Sequence, residues 1–81
     1  MAGLALVIRY HMRYEEEALG LARRLFAQFD EAIDSLVLMP VEEEDFVLAL
    51  NGEVVHGLRE RGRAPRVADL RALLGPAPDG P

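Results

Sequence analysis

The chain has no cysteine. That single absence removes disulfides, thiolate metal ligands and every reaction that runs through a sulfur nucleophile. It also has no lysine: all nine basic residues are arginine, a usage from which no function is read. The longest apolar run, Ala2 to Ile8, falls far short of the ~20 residues that span a bilayer. Charged residues follow it rather than a small-residue cleavage site, so a soluble, cytoplasmic protein without a membrane partner is expected. Basic charge is scarce as well. Nine arginines stand against 14 acids for a net charge of −5, and a protein that neutralises phosphates needs the reverse balance, so nucleic acid is not an expected partner.

What is present is apolar material: 51% of the 81 residues are hydrophobic. This length permits one domain, whose core is marginal without disulfides or metal, so packing must carry stability, with help from self-association. Residues 1–74 read as that domain. The tail from 75 to 81 (GPAPDGP) is rich in proline and glycine and reads as disordered.

Gly3 to Tyr10 (GLALVIRY) is a near-continuous apolar run, suited to a central strand buried on both faces. From Tyr14 the period changes. Tyr14, Ala18, Leu21, Ala22, Leu25 and Phe29 fall on one face of a helix over about residues 14–30. Glu15, Glu16 and Glu17 lie in its first turn, where the helix dipole favours acids. Ile33 to Met39 reads as a second strand that Pro40 ends, completing a β-α-β unit. Glu42 to Asp45 is four adjacent acids and reads as a solvated loop. Phe46 to Leu50 and Glu53 to Leu58 read as strands joined at Asn51-Gly52, a dipeptide suited to the two positive-φ positions of a type I′ turn. Arg59 to Pro65 reads as a turn-rich basic connection, and Val67, Leu70, Leu73 and Leu74 have the spacing of a short last helix. The order β-α-β-β-β-α with one sheet under two helices predicts a two-layer α/β sandwich with a mixed four-stranded sheet.

That order resembles the thioredoxin-like core. The segment VIRYHMRYEEEALGLARRLFAQF resembles the opening of the selenoprotein W-like (SelT/SelW/SelH, Rdx) family, and FVLALNGEVVHGLRERGRAP resembles that family's hairpin and its Gly-Arg-x-Pro close. The resemblance covers residues 4–74. It implies a Cys-x-x-Cys or Cys-x-x-Sec motif where this chain has His11, Met12, Arg13 and Tyr14, with His11 and Tyr14 in the two redox positions. Asp45 stands where the family has glycine, and Ala64 where it has an aromatic residue. Thiol–disulfide exchange needs an attacking thiolate and a second sulfur to resolve the mixed disulfide, so this chain cannot perform it.

Several candidate residues remain. His11, Met12, Arg13 and Tyr14 form a degenerate redox-motif surface, with Met12 as a flexible apolar anchor for a protein partner. The alternative at the same place is a family-derived activity without cysteine chemistry, or a small thiol or anion ligand at the helix N-terminus, positioned by His11 and Tyr14. Arg59, Arg61, Arg63 and Arg66 are candidate contacts for an anion or an acidic partner. A metal site would need His11, His56 and a carboxylate such as Glu53 to meet, which the expected topology opposes, so no metal or cofactor is expected. An open sheet edge gives a small domain reason to form a homodimer. Met39-Pro40 stands where a cis proline occurs in many thioredoxin-like proteins; a trans bond is expected here.

Overall fold

The computed structural model describes residues 3–74. The tail expectation for 75–81 therefore lies outside the described residues, as do Met1 and Ala2. Strand β1 (Leu4–Tyr10) is followed by a 3-10 turn (Met12–Tyr14), helix α1 (Glu15–Phe29), a second 3-10 turn (Asp30–Ala32) and strand β2 (Ile33–Pro40). Strands β3 (Phe46–Leu50) and β4 (Glu53–Gly57), a single helical turn α2 (Leu58–Arg61) and helix α3 (Val67–Leu74) complete the order.

The sheet order is β2-β1-β3-β4. Strand β1 pairs in parallel with β2 and antiparallel with β3, and β3 pairs antiparallel with β4, which makes the mixed four-stranded sheet that the sequence predicts. Asn51 and Gly52 both have positive φ, at 51° and 89°, as a type I′ turn requires. No peptide bond among the described residues is cis, so Met39-Pro40 is trans as expected.

Helices α1 and α3 cover the same face of the sheet. Register places Leu36, Leu6 and Leu50 in one row across β2, β1 and β3, and Leu38, Ile8, Leu48 and His56 in the next, all directed at the helices. Ala18, Leu21, Ala22 and Leu25 of α1 and Leu70 of α3 meet them to close the core.

Two expectations are corrected here. Strand β1 is buried on one face only: Leu6, Ile8 and Tyr10 are buried, Val7 is half-buried and Arg9 exposed. Helices α1 and α3 lie on one side of the sheet, so among the described residues the apolar run Leu4–Ile8 places Ala5 and Val7 on a face that no helix covers. The connection after β4 is also more regular than its arginines suggested. Leu58–Arg61 is helical, and it ends at Gly62, whose φ of 82° is the left-handed conformation that favours glycine at a helix C-terminus.

Candidate functional site

His11 stands between the end of β1 and the 3-10 turn, the strand-to-helix junction where the sequence predicts it. Its extended backbone (φ −75°, ψ 150°) caps that turn, and its Nδ1 accepts a hydrogen bond from the Arg13 N–H at 3.1 Å. With Nδ1 accepting, the neutral ring carries its proton on Nε2, which has no hydrogen-bond partner among the described residues. The Tyr14 N–H donates to the His11 carbonyl at 2.8 Å and closes the turn.

The four residues of the degenerate motif divide by what they touch. Met12 is 73% exposed and points into solvent. Arg13 is exposed, pairs with Glu44 at 3.1 Å, and sets its guanidinium 5.6 Å from the centre of the Tyr14 ring. The Tyr14 ring lies nearly flat against Phe46, 6.0 Å between centres and 27° between planes. Tyr14 is therefore partly a packing residue, and the accessible chemistry of the turn belongs to His11 and Met12. These two line a shallow depression of about 340 Å³ with Pro40, Val41 and Glu42.

The loop before β3 fixes this turn, and the expectation that Glu42 to Asp45 is only solvated is corrected at Asp45. The Asp45 carbonyl accepts from the His11 N–H at 3.0 Å, and its carboxylate accepts from the N–H groups of Phe46 (2.8 Å) and Arg59 (3.0 Å). The Val41 N–H donates to Tyr10 at 2.8 Å. One aspartate thus joins the turn, the start of β3 and the first turn of α2, which has no capping side chain of its own. An acid next to three others gives no sequence signal for this, because only the tertiary fold brings residues 11 and 59 to it.

The four candidate arginines do not share one role. Arg63 binds the Asp69 carboxylate through both terminal nitrogens, at 2.7 and 3.1 Å, and donates to the Ala64 carbonyl. The pair raises the pKa of Arg63, chiefly through these hydrogen bonds. Arg59 and Arg61 are exposed on α2. The Arg66 side chain borders a groove of about 640 Å³ between α1 and residues 64–68, floored by Leu21, Phe46 and Pro65, with Glu16, Glu17 and Arg24 also at its rim. Ala64 lines this groove, so the small side chain at that position leaves the space open.

His56 is the constellation that sequence reasoning missed. It is buried on the core face of β4, with Nε2 3.0 Å from the Arg63 carbonyl and Nδ1 3.6 Å from Asp69 Oδ2. Asp69 also accepts from the Arg66 N–H at 2.7 Å, the reach-back of a capping box, and its position three residues after Arg66 was the available signal. Its carboxyl is held below the usual carboxylate range. The Arg63 hydrogen bonds are the main cause; burial opposes them, and the Arg66 N–H and the charges of His56 and Arg63 add to them. With one ring nitrogen against a carbonyl and the other facing a carboxylate already bound to arginine, His56 has no free atom for substrate. Its hydrogen bond to the Arg63 carbonyl ties the connection before α3 to the sheet. His11 and His56 belong to no cluster of three potential metal ligands among the described residues.

The helix N-terminus is poorly suited to an anion. Glu15, Glu16 and Glu17 occupy the first turn of α1 and oppose a second negative charge there.

No protein-family model and no curated protein matches the chain by sequence. Its structure is similar to the crystal structure of a selenoprotein W-related protein from Vibrio cholerae, with a TM-score of 0.78 and 21% identity, over 86% of this chain and 90% of that one. It is also similar to a protein from Bordetella parapertussis, with a TM-score of 0.79 and 19% identity, over 89% and 94% of the two chains. The fold is that of selenoprotein W-related proteins. No helix among the described residues is long and apolar enough to cross a membrane.

Proposed function

We propose that this chain is a cysteine-free, non-catalytic counterpart of the selenoprotein W-related proteins and that it works as a small binding module. The partner is a protein, and the contact surface is the turn where the family resemblance implies a redox motif. The observation that carries this reading is Met12, 73% exposed on a turn pinned at both sides. An apolar, polarisable side chain held in water has no folding role, and on a rigid platform it loses little entropy on docking. His11 beside it offers Nε2 as a hydrogen-bond donor, and Pro40 and Val41 supply apolar surface. Thiol chemistry of this chain's own is excluded by composition, so the surface acts by recognition. We also propose the cytoplasm as the compartment, since a fold without disulfides needs no oxidising one.

The test is affinity capture from the protein's own cell extract with wild type and a His11→Ala/Met12→Ala double variant. Both substitutions remove exposed or half-exposed side chains and leave the Tyr14–Phe46 stack intact. A partner retained by wild type and lost by the variant supports the reading; identical partner sets overturn it.

A further inference from the structure

Four of the eight large apolar side chains exposed among the described residues lie along one side of the molecule: Leu19, Phe26, Val37 and Met39. Val37 and Met39 are on β2, on the sheet face that no helix of the described residues covers. Leu19 and Phe26 are on α1, seven residues apart and so on nearly one line of the helix. Glu17, Gly20 and Arg24 of α1 border the groove shared with the start of α3, which packs on β4. At 100° per residue, Leu19 and Phe26 fall on the opposite flank, above the outer edge of β2.

The strand between these two apolar flanks is itself open. β2 ends the sheet and pairs only with β1 among the described residues. It is eight residues long, and its run Ser35–Met39 carries no charge. The opposite edge is managed differently: β4 has five residues, begins at Glu53, and is interrupted by a bulge against Leu48 and Ala49. Short, charged, bulged edges resist pairing, whereas long apolar ones invite it.

We propose that the outer edge of β2 pairs antiparallel with β2 of a second copy about a two-fold axis at Val37, joining two sheets into one of eight strands. The run is self-complementary about that residue. Leu36 falls opposite Leu38 of the second copy on the helix side, and Val37 opposite Val37 on the open side. Asp34 falls opposite Pro40, so no charge lies within the paired segment. Moving the axis toward Ser35 sets Asp34 against Leu36, and moving it toward Met39 brings Pro40, which has no N–H to donate, into the ladder. Only the Val37 axis avoids both. The same symmetry brings Leu19 of one α1 toward Phe26 of the other, which covers the exposed flank of each helix. A domain of this size without disulfides gains from the extra burial.

The absence of cysteine makes the test direct. In an antiparallel pair the two Val37 Cα atoms lie about 4.5–5.5 Å apart, within disulfide range, whereas the two Ser35 Cα atoms lie ~14 Å apart, outside it. Mild oxidation should therefore convert Val37→Cys to a covalent dimer and leave Ser35→Cys and Val54→Cys as monomers. Sedimentation at micromolar concentration should give a dimer for wild type and a monomer for Val37→Lys, with circular dichroism confirming that the lysine variant is folded. A monomeric wild type, or equal cross-linking at all three positions, overturns the proposal. So does a folded Val37→Lys that still sediments as a dimer.

Discussion

Asp69 gathers more of the chain's polar interactions than any motif residue. Its carboxylate binds Arg63, accepts from the Arg66 N–H that opens α3, and faces the buried His56. Because its folded pKa is depressed, the stabilisation it gives is fully present above the unfolded value and is lost as pH falls through the folded one. The unfolding free energy from urea titration should accordingly decline as pH drops below about 4. Asp69→Asn should flatten that acid limb. Asp69→Ala, which leaves the start of α3 uncapped, should cost about 1–2 kcal/mol at neutral pH. By contrast, Arg13→Ala breaks an exposed ion pair with Glu44 and should change stability by less than about 1 kcal/mol, so any loss of binding it causes reads as a lost contact.

Elements are held to one another here by side chains that cross between them. Asp45 takes the N–H of Arg59 at the start of α2 and of Phe46 at the start of β3. Asn51 joins the hairpin to β1 through its N–H to the Ala5 carbonyl (2.8 Å) and its side-chain oxygen to the Ala5 N–H (3.0 Å). Amide hydrogen exchange should show Asp45→Ala deprotecting Arg59 and Phe46, while Asp45→Asn, which keeps an acceptor oxygen, should retain most of that protection. The aromatic contact between the turn and β3 is open to a double-mutant cycle. Tyr14→Leu and Phe46→Leu should show a coupling of about 0.5–1.5 kcal/mol, the usual value for a stacked pair. The type and approximate bounds of nearly every element were legible, because α1 repeats at helical period and Asn51-Gly52 permits few other turns. The cross-links were not, since Asp45 lies 34 residues from His11 and 14 from Arg59 and its role depends on where the sheet sets it.

Among the described residues the molecule has one covered and one open sheet face, and half of its eight large exposed apolar side chains lie on the β2 side. If two copies join there, folding and association are linked. The melting temperature of wild type should rise with protein concentration, and that of Val37→Lys should not.

The sequence alone determined the chemistry this chain cannot do and most of the element order. Composition admits no thiol, and periodicities of 3.6 and 2 residues are local properties of the chain. It also placed His11 at the junction of strand and helix. Only the tertiary structure decided that Tyr14 stacks on Phe46, that Arg63 is committed to Asp69 while Met12 stays in water, and that His56 is buried against the Arg63 carbonyl. Those outcomes depend on contacts between residues far apart in the chain, whose distances are set by sheet register and helix placement rather than by any pattern along the sequence.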